Sequence, residues 1–518
     1  MLKLAVLLAI FYLIYELTNR LRFKKPLPPG PLALPLIGNL HQHRSAEPWV
    51  QYQEWHQKFG DIITVKVGLR TVIVLGSQQA VNDILVKRGK VYCSPPKLVL
   101  VGDCMTRNAL PVLIPHGQKR RDVHRLITAM LSAQACKGYA PLQERESLRL
   151  MLGIAETGSG DSIDIEKHIT NYSFGVATTL IYGERMGQGR GGGESEARDI
   201  QALFAGIMDT VSATNIIVEL YPILNLLPER LNPWKQAGSA FRHTFTNLWA
   251  RRIQRGLANP NWNWARLVFN NKPTGMTEEE CLFIVAELEI GVSISTAMLI
   301  KIFIATVLMN PAATQKVREQ VDQVVGRDRI PLLSDQDNLP LLRGFIWEMM
   351  RWKSAFSLSL PYAGLEESEY KGYRIPSDAL IIVNQWSLNI DPKVYANPTE
   401  FRPDRWIENP DLPTPPVFGY GRRVCPGEQL GMNSMFIAFA RILWAFDVLP
   451  KGERLPLDES VQTTLGLLAS FDPNRVRFVP RDELRLGVLR ETFEGVVRDD
   501  GVILEGAASA VRLQMAKT

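Results

Sequence analysis

No stretch constrains this chain more than Thr277–Asn310. Thr277 is followed by three glutamates, so Thr277 and Glu280 can form a capping box. Apolar-rich sequence then continues to Asn310, where Pro311 ends it. At 1.5 Å per residue, about 33 residues make a helix roughly 50 Å long, far beyond the mean. Such a helix is a central one, surrounded by others. Near its middle, Ile290-Gly291-Val292-Ser293-Ile294-Ser295 sets a glycine before small hydroxyls. A mid-helix glycine costs about 1 kcal/mol against alanine, so something needs close approach to the backbone at Gly291.

Helical patterning dominates from about Ser77 to Asn310, and two further helices follow over Pro311–Val325 and about Leu341–Lys353. A last long apolar helix runs from Glu428 to about Phe446. Strand signals are few. Gly60–Ser77 holds two β-branched runs around Gly68 and reads as a hairpin, and Lys371–Pro376 with Ala379–Asn384 reads as a second strand pair. The fold class is therefore mainly α with a minor β-sheet. Gly187, Gly189 and Gly192 match G-x-G-x-x-G, but Arg190 sits within the glycine run and no amphipathic helix follows, so a surface loop is the better reading than a dinucleotide site.

Length and composition narrow the class. The 518 residues suit two or three domains or one unusually large one. With 46% hydrophobic and 22% charged residues, wholesale disorder and a fibre are excluded. A mean hydropathy of −0.04, with apolar runs long enough to span missing after the N-terminus, argues against a polytopic membrane protein. Fifty-nine Lys and Arg against 53 Asp and Glu leave +6, with no dense basic block, so no nucleic-acid partner is indicated. This thin surplus suits an anionic membrane or an acidic protein, and equally plain solubility.

The N-terminus is a segment of its own. Leu4–Leu17 is apolar except for Glu16, and Arg20, Arg22, Lys24 and Lys25 follow it. By the positive-inside rule those cations keep the rest of the chain cytosolic. The competing reading is a cleaved secretory signal, against which stand a thin n-region at Lys3 and the lack of an A-x-A-like site. Residues 1–25 are thus expected to be a membrane anchor. Pro26, Pro28, Pro29, Pro31 and Pro35 make 26–36 a stiff extended hinge.

Five cysteines, at 93, 104, 136, 281 and 425, form no C-x-x-C pair, and the seven histidines form no H-E-x-x-H. A disulfide framework and a zinc cage are both disfavoured. A chemically active cysteine would work alone, and Cys425 is the candidate. It lies in Phe418-Gly419-Tyr420-Gly421-Arg422-Arg423-Val424-Cys425-Pro426-Gly427. The three glycines let backbone fold tightly around one thiol. Pro426 suits a first helical position, so the positive end of a helix favours the thiolate. Arg423 offers a charged fork for a carboxylate. A lone thiolate so placed suits a soft, large partner such as haem iron. The alternative is a buried structural cysteine beside a turn.

Here the sequence resembles the haem-thiolate monooxygenases, the cytochromes P-450. Phe418, Gly421, Arg423, Cys425 and Gly427 meet the pattern F-x-x-G-x-R-x-C-x-G in full. Upstream, Glu348 and Arg351 resemble the family's E-x-x-R, and Phe401-Arg402-Pro403-Asp404-Arg405-Trp406 resembles the segment whose arginine, here Arg405, completes that ion network. The resemblance spans roughly Pro28 to Arg481. It implies the cytochrome P-450 fold, with haem b between the Thr277–Asn310 helix and the Cys425 loop, ligated by Cys425 and cradled by Phe418, Gly421, Arg423 and Gly427. Residues 37–481 would then be the catalytic domain. Residues 482–518 form a C-terminal extension with no functional reading.

The departures from the family pattern surround the cofactor. Where the central helix usually shows A/G-G-x-D/E-T-T, alignment on Gly291 puts Ser293 at the acid and Ile294 at the threonine, so the usual hydroxyl for proton delivery is missing. Ser295, a substrate hydroxyl or an ordered water is the substitute. Where W-x-x-x-R usually serves a haem propionate, Arg120 and His124 stand instead, and both can donate to carboxylate. Pro361-Tyr362 replaces a common Pro-His, with the Tyr362 phenol as donor.

The activity implied is a monooxygenase or oxidase acting on a hydrophobic small molecule with O2. Its electrons would come from NADPH through a separate flavoprotein reductase on the same membrane. By analogy the setting is secondary-metabolite biosynthesis, and the Ile294 change points to oxidative phenol coupling. Two other classes remain: a haem-thiolate enzyme that rearranges or dehydrates its substrate without reductive O2 activation, and a haem-binding protein with little catalysis. The N-terminal anchor with Pro28-Pro29-Gly30-Pro31 is similar to the family's microsomal type, which implies the endoplasmic reticulum membrane, with one N-terminal pass and a cytosolic catalytic domain. Asn215–Trp234 resembles the family's lid, which dips into lipid or is a plain buried connection.

Overall fold

The architecture is described from a computed structural model, over residues 25–43, 47–156, 164–185, 193–210, 213–452, 462–464, 468–496 and 498–516. The expected N-terminal anchor and the Gly187–Gly192 loop lie outside these residues.

The central helix spans Glu278–Met309, with Thr277 as N-cap and its capping box to Glu280 formed. Twenty of its residues are buried, so its apolar character is met by protein on most sides. Among the described residues it alone is long and apolar enough to cross a membrane, and its burial makes it the core helix. Around it pack helices Ile165–Tyr182, Pro233–Ala258 and Glu428–Ala445. Phe303 of the central helix stacks on Phe439 of the last of these at 3.7 Å between ring centroids.

The sheet is small and lies to one side. Strands β1 (Ile62–Val67) and β2 (Arg70–Leu75) form the expected hairpin, with Val67 opposite Arg70 across a two-residue turn at Gly68 and Leu69. The second strand pair is not a hairpin. Its first arm contributes β4 (Tyr373–Ile375), which pairs antiparallel with β3 (Ser368–Tyr370). Its second arm is β5 (Leu380–Val383), which pairs parallel with β2, Val72 opposite Leu380. The apolar run of β5 supplies Ile381 and Val383 to the core beneath β2, and that burial outweighs a local turn. Among the described residues two further antiparallel pairs lie near the C-terminus: β6 (Phe446–Pro450) with β9 (Val476–Pro480), and β7 (Gln462–Thr464) with β8 (Leu468–Ser470).

The proline-rich hinge is extended and tied to this sheet. Thr64 donates its backbone N–H to Pro29 O at 3.0 Å, and Arg374 donates to Pro26 O at 2.8 Å. The C-terminal extension folds into two helices, Glu483–Gly495 and Asp500–Met515, laid against the helix Ala133–Glu156. The close approach is possible because Gly138 has no side chain: a Cβ there would sit 3.0 Å from the Ala507 Cα. Asp500 pairs with fully buried Arg145 at 2.6 Å.

Candidate functional site

The Cys425 loop is shaped by its glycines. Gly419 and Gly421 have φ of +81° and +59°, backbone that other residues adopt at a cost. At Gly421 space is decisive as well, since a Cβ would lie 2.2 Å from the Leu85 carbonyl oxygen. Cys425 N–H closes the loop by donating to Phe418 O at 2.7 Å. The following helix starts at Glu428 with Gly427 as N-cap, two residues later than Pro426 suggested. The Gly427 N–H points to Cys425 Sγ and pulls the thiol pKa down, but burial dominates and leaves it raised. Yet the Cys425 side chain is accessible. A thiol both accessible and poorly solvated lines an interior hollow.

The central helix has a matching face. Gly291 is exposed between half-buried Ile290 and Val292, Ile294 and Ser295 are half-buried too, and a Cβ on Gly291 would meet nothing within 4 Å. One turn earlier stands Glu287, which accepts the Val112 N–H at 3.1 Å. Burial pushes its carboxyl up to about 7. Its charge reaches Cys425, Arg120 and Arg423, which puts these groups around one space. Sequence reasoning missed Glu287; the available signal was a carboxylate in the middle of an apolar helix.

Arg423 donates to Pro361 O at 2.8 Å and Val112 O at 3.0 Å, and its guanidinium lies 5.0 Å from the centre of the Tyr362 ring. Burial first, and then Arg120, bring its pKa down to about 10. Arg120 donates to Ile114 O at 3.1 Å. Neither guanidinium has a carboxylate partner among the described residues, so a cofactor with acidic substituents would find two cations here. Tyr362 Oη accepts the Tyr420 N–H at 3.2 Å, which leaves its own proton to donate. His124, one turn beyond Arg120, is exposed and shares a hydrogen bond with Thr128 Oγ1 at 3.3 Å.

The hydroxyls behave differently from the sequence expectation. Ser293 is fully buried, and its Oγ donates to Glu289 O at 2.6 Å. It therefore lies away from the accessible face. The turn it faces is held by Glu289, which accepts from Tyr182 Oη at 2.6 Å and Trp249 Nε1 at 2.9 Å and pairs with Arg252. Ser295 donates to Gly291 O. Ile294 has only its apolar side chain on the accessible face.

Glu348, Arg351 and Arg405 form a separate, almost wholly buried network. Arg351 Nη2 meets Glu348 at 2.7 Å and Arg405 Nε meets it at 3.1 Å. Arg402 N–H and Trp406 Nε1 add donors at 2.8 and 3.0 Å, so the carboxylate is fully satisfied. Arg351 Nη1 reaches on to Asn389 O and Pro398 O, and Arg405 Nη1 to Ala396 O. The network ties the Pro340–Trp352 helix to the loop region that precedes the Cys425 segment.

Comparison with known proteins bears on this geometry. A family model described as cytochrome P-450 matches residues 28–473. The chain is 36% identical over 479 residues to cytochrome P-450 monooxygenase FrzL of Cladobotryum sp, covering 92% of this chain and 91% of that protein. It is 33% identical to cytochrome P-450 monooxygenase peniB of Penicillium patulum, with 96% and 92% covered. It is 30% identical to the echilunin cytochrome P-450 monooxygenase of Aspergillus ruber, with 97% and 92% covered.

Proposed function

This chain belongs to the cytochrome P-450 family, and from that premise we propose how its own residues serve the reaction. It is a haem-dependent monooxygenase, an oxidoreductase whose cofactor is haem b. The residues fit that group. Cys425 presents an accessible Sγ beside the Gly427 N–H, and Gly291 leaves room on the central helix. Arg120 and Arg423 are half-buried cations whose hydrogen bonds go only to carbonyls, which suits two propionates. We assign Cys425 as the iron ligand, with Arg120, Arg423 and Tyr362 as propionate donors. Phe418, Gly421 and Gly427 shape the loop. His124, exposed at the same helix, is a weaker candidate.

When bound, haem b supplies the redox chemistry of O2 activation. What the chain supplies is orientation, exclusion of water and control of protons. Ile294 offers no proton, Ser293 is turned away, and the Ser295 hydroxyl is committed to Gly291 O. Proton supply therefore falls to a hydroxyl on the substrate or to water beside Gly291. A phenolic or polyketide-like substrate brings that hydroxyl and gives up an electron and a proton readily, which favours oxidative coupling over hydroxylation of an unactivated C–H.

Electrons come from an NADPH-dependent flavoprotein reductase, for which exposed Arg422 on the Cys425 side is a docking cation. The substrate arrives from a membrane. Leu226 is 83% exposed, Leu32 83% and Ile223 67%. Tyr221 Oη donates to Leu36 O at 3.1 Å and Leu69 N–H to Leu220 O at 3.1 Å, so hinge, hairpin turn and the 215–234 segment offer one apolar surface to lipid.

The observation that carries this reading is the accessible, tightly looped Cys425. Its test is the reduced, CO-bound absorption spectrum of the purified chain beside Cys425→Ala. A thiolate-type spectrum in the parent, lost in the variant, is expected; matching spectra would overturn the assignment. Binding spectra against phenols and terpenoids then rank substrates, with phenols expected to bind more tightly.

A further inference from the structure

Among the described residues Glu287 is the one carboxylate on the accessible stripe around Gly291. It stands four residues before Gly291, so the two lie one above the other on the central helix, with Ile290 and Ile294 on the same stripe. Gly291 is exposed and Glu287, Ile290 and Ile294 are half-buried, whereas Ala286 and Leu288 on either side of Glu287 are buried. The carboxylate therefore opens onto the hollow that Cys425 lines rather than into the packed core. Its charge is felt at Cys425 across that space.

The two carboxylate oxygens are used unequally. Oε2 accepts the Val112 N–H at 3.1 Å, which fixes the side chain against the Pro111–Leu113 turn. Oε1 accepts no hydrogen bond among the described residues and is not one of their sealed-off polar atoms. The charged and titratable groups that face Glu287 are Arg120 from the helix Gln118–Leu131, and Arg423 and Cys425 from the loop. Neither arginine pairs with it directly. Arg120 gives its bonds to Pro111 O and Ile114 O, and Arg423 gives its to Ser94 O, Pro361 O and Val112 O. Two propionates on these guanidiniums, and the Cys425 thiolate on iron, balance every charge here except that of Glu287. A carboxylate left unpaired among apolar groups is costly unless a cation meets it.

One free carboxylate oxygen flanked by Ile290 and Ile294 suits a ligand with an apolar body and a single cationic N–H. We propose that Glu287 is a specificity-determining residue that selects substrates bearing a protonated amine, the ammonium N–H donating to Oε1. This rests on the haem-pocket reading above and adds a second polar group to the substrate class named there. A neutral substrate of the same shape leaves the carboxylate without its counterion, so selection works by penalty as well as by attraction.

Calorimetric titration of the haem-loaded full chain at pH 8 tests this. At that pH a carboxyl that titrates at about 7 is mostly ionised, while an alkylamine, at about 10, is still protonated. The probes are dimethyl(phenylbutyl)ammonium and the tertiary alcohol of the same shape. Glu287→Gln keeps an oxygen for the Val112 N–H, so the loop tie survives the loss of charge. It should weaken the ammonium at least tenfold and the alcohol less than twofold. Glu287→Asp keeps the charge and should restore most of the ammonium affinity. No saturable ammonium binding by the parent, or a Glu287→Gln variant that weakens neither probe or both alike, would overturn the proposal. So would ammonium binding that brings a nitrogen-ligated haem spectrum. Such a failure beside an intact thiolate-type CO spectrum leaves the family reading standing, whereas loss of that spectrum strikes at the Cys425 assignment instead.

Discussion

The Ser295 hydroxyl donates to the Gly291 carbonyl one turn back along the central helix. This bond takes the only hydroxyl on the accessible face out of proton delivery, since Ser293 is buried against Glu289 O. General acid–base groups typically contribute 10²–10⁴-fold. Ser295→Ala is accordingly expected to change product formed per NADPH by less than about threefold, far below that range. Ile294→Thr should leave this ratio unchanged with a phenolic substrate. If Ile294→Thr raised both the ratio and the hydroxylated product, the case for a substrate-borne hydroxyl and for radical coupling would fail.

Glu348 is the hub of the ion network, with two arginines, an indole N–H and a backbone N–H on one carboxylate. Removing one member leaves buried charge behind, which costs about 3–5 kcal/mol. Glu348→Gln should therefore lower the unfolding midpoint clearly and reduce haem per chain on purification. Since the network lies apart from the Cys425 loop, whatever haem is retained should keep a thiolate-type spectrum. A variant as stable as the parent would show that the network is dispensable.

Gly421 meets two demands at once, a positive φ and the Leu85 carbonyl at 2.2 Å from any Cβ. Strain of this kind costs on the order of 1–3 kcal/mol, and the displaced Leu85 segment adds to it. Gly421→Ala is expected to lose haem faster than Gly427→Ala in transfer to apomyoglobin. The only neighbour of a Cβ at Gly427 is Cys425 Sγ at 3.8 Å, an ordinary contact.

Legibility in the sequence followed the range of the interactions. The central helix could be bounded to the residue because its capping box and Pro311 act locally. The Gly60–Ser77 hairpin could be read for the same reason. The partner of β5 could not, because β2 lies about three hundred residues away and nothing near Leu380 encodes that pairing. The Cys425 loop was legible as a motif, but the carbonyl partners of Arg423 come from Pro361 and Val112 and needed the fold. Ser293 and Ser295 look equivalent in sequence; only helical phase separates the buried hydroxyl from the accessible one. The extension carried no motif, and its role rests on Gly138 and Arg145 in a distant helix.

His56 gives the fold a pH dependence independent of the haem. Its ring is largely buried against Gly76, with Nδ1 at 2.9 Å from Gly60 O. Burial lowers its pKa, while the Gly60 carbonyl and the charge of Asp61 pull the other way and only partly offset it. A histidine with a depressed folded-state pKa contributes stability that is fully present above its unfolded value of about 6.5. That contribution is lost as pH falls through the folded value. His56→Phe keeps the ring volume but cannot titrate and gives up the bond to Gly60, worth about 1 kcal/mol. The variant should be less stable than the parent at pH 8, and the gap should narrow steadily as pH drops from 6.5 to 5. Thermal unfolding of both proteins across that range measures it. A constant gap would mean that His56 titrates alike in the folded and unfolded chain.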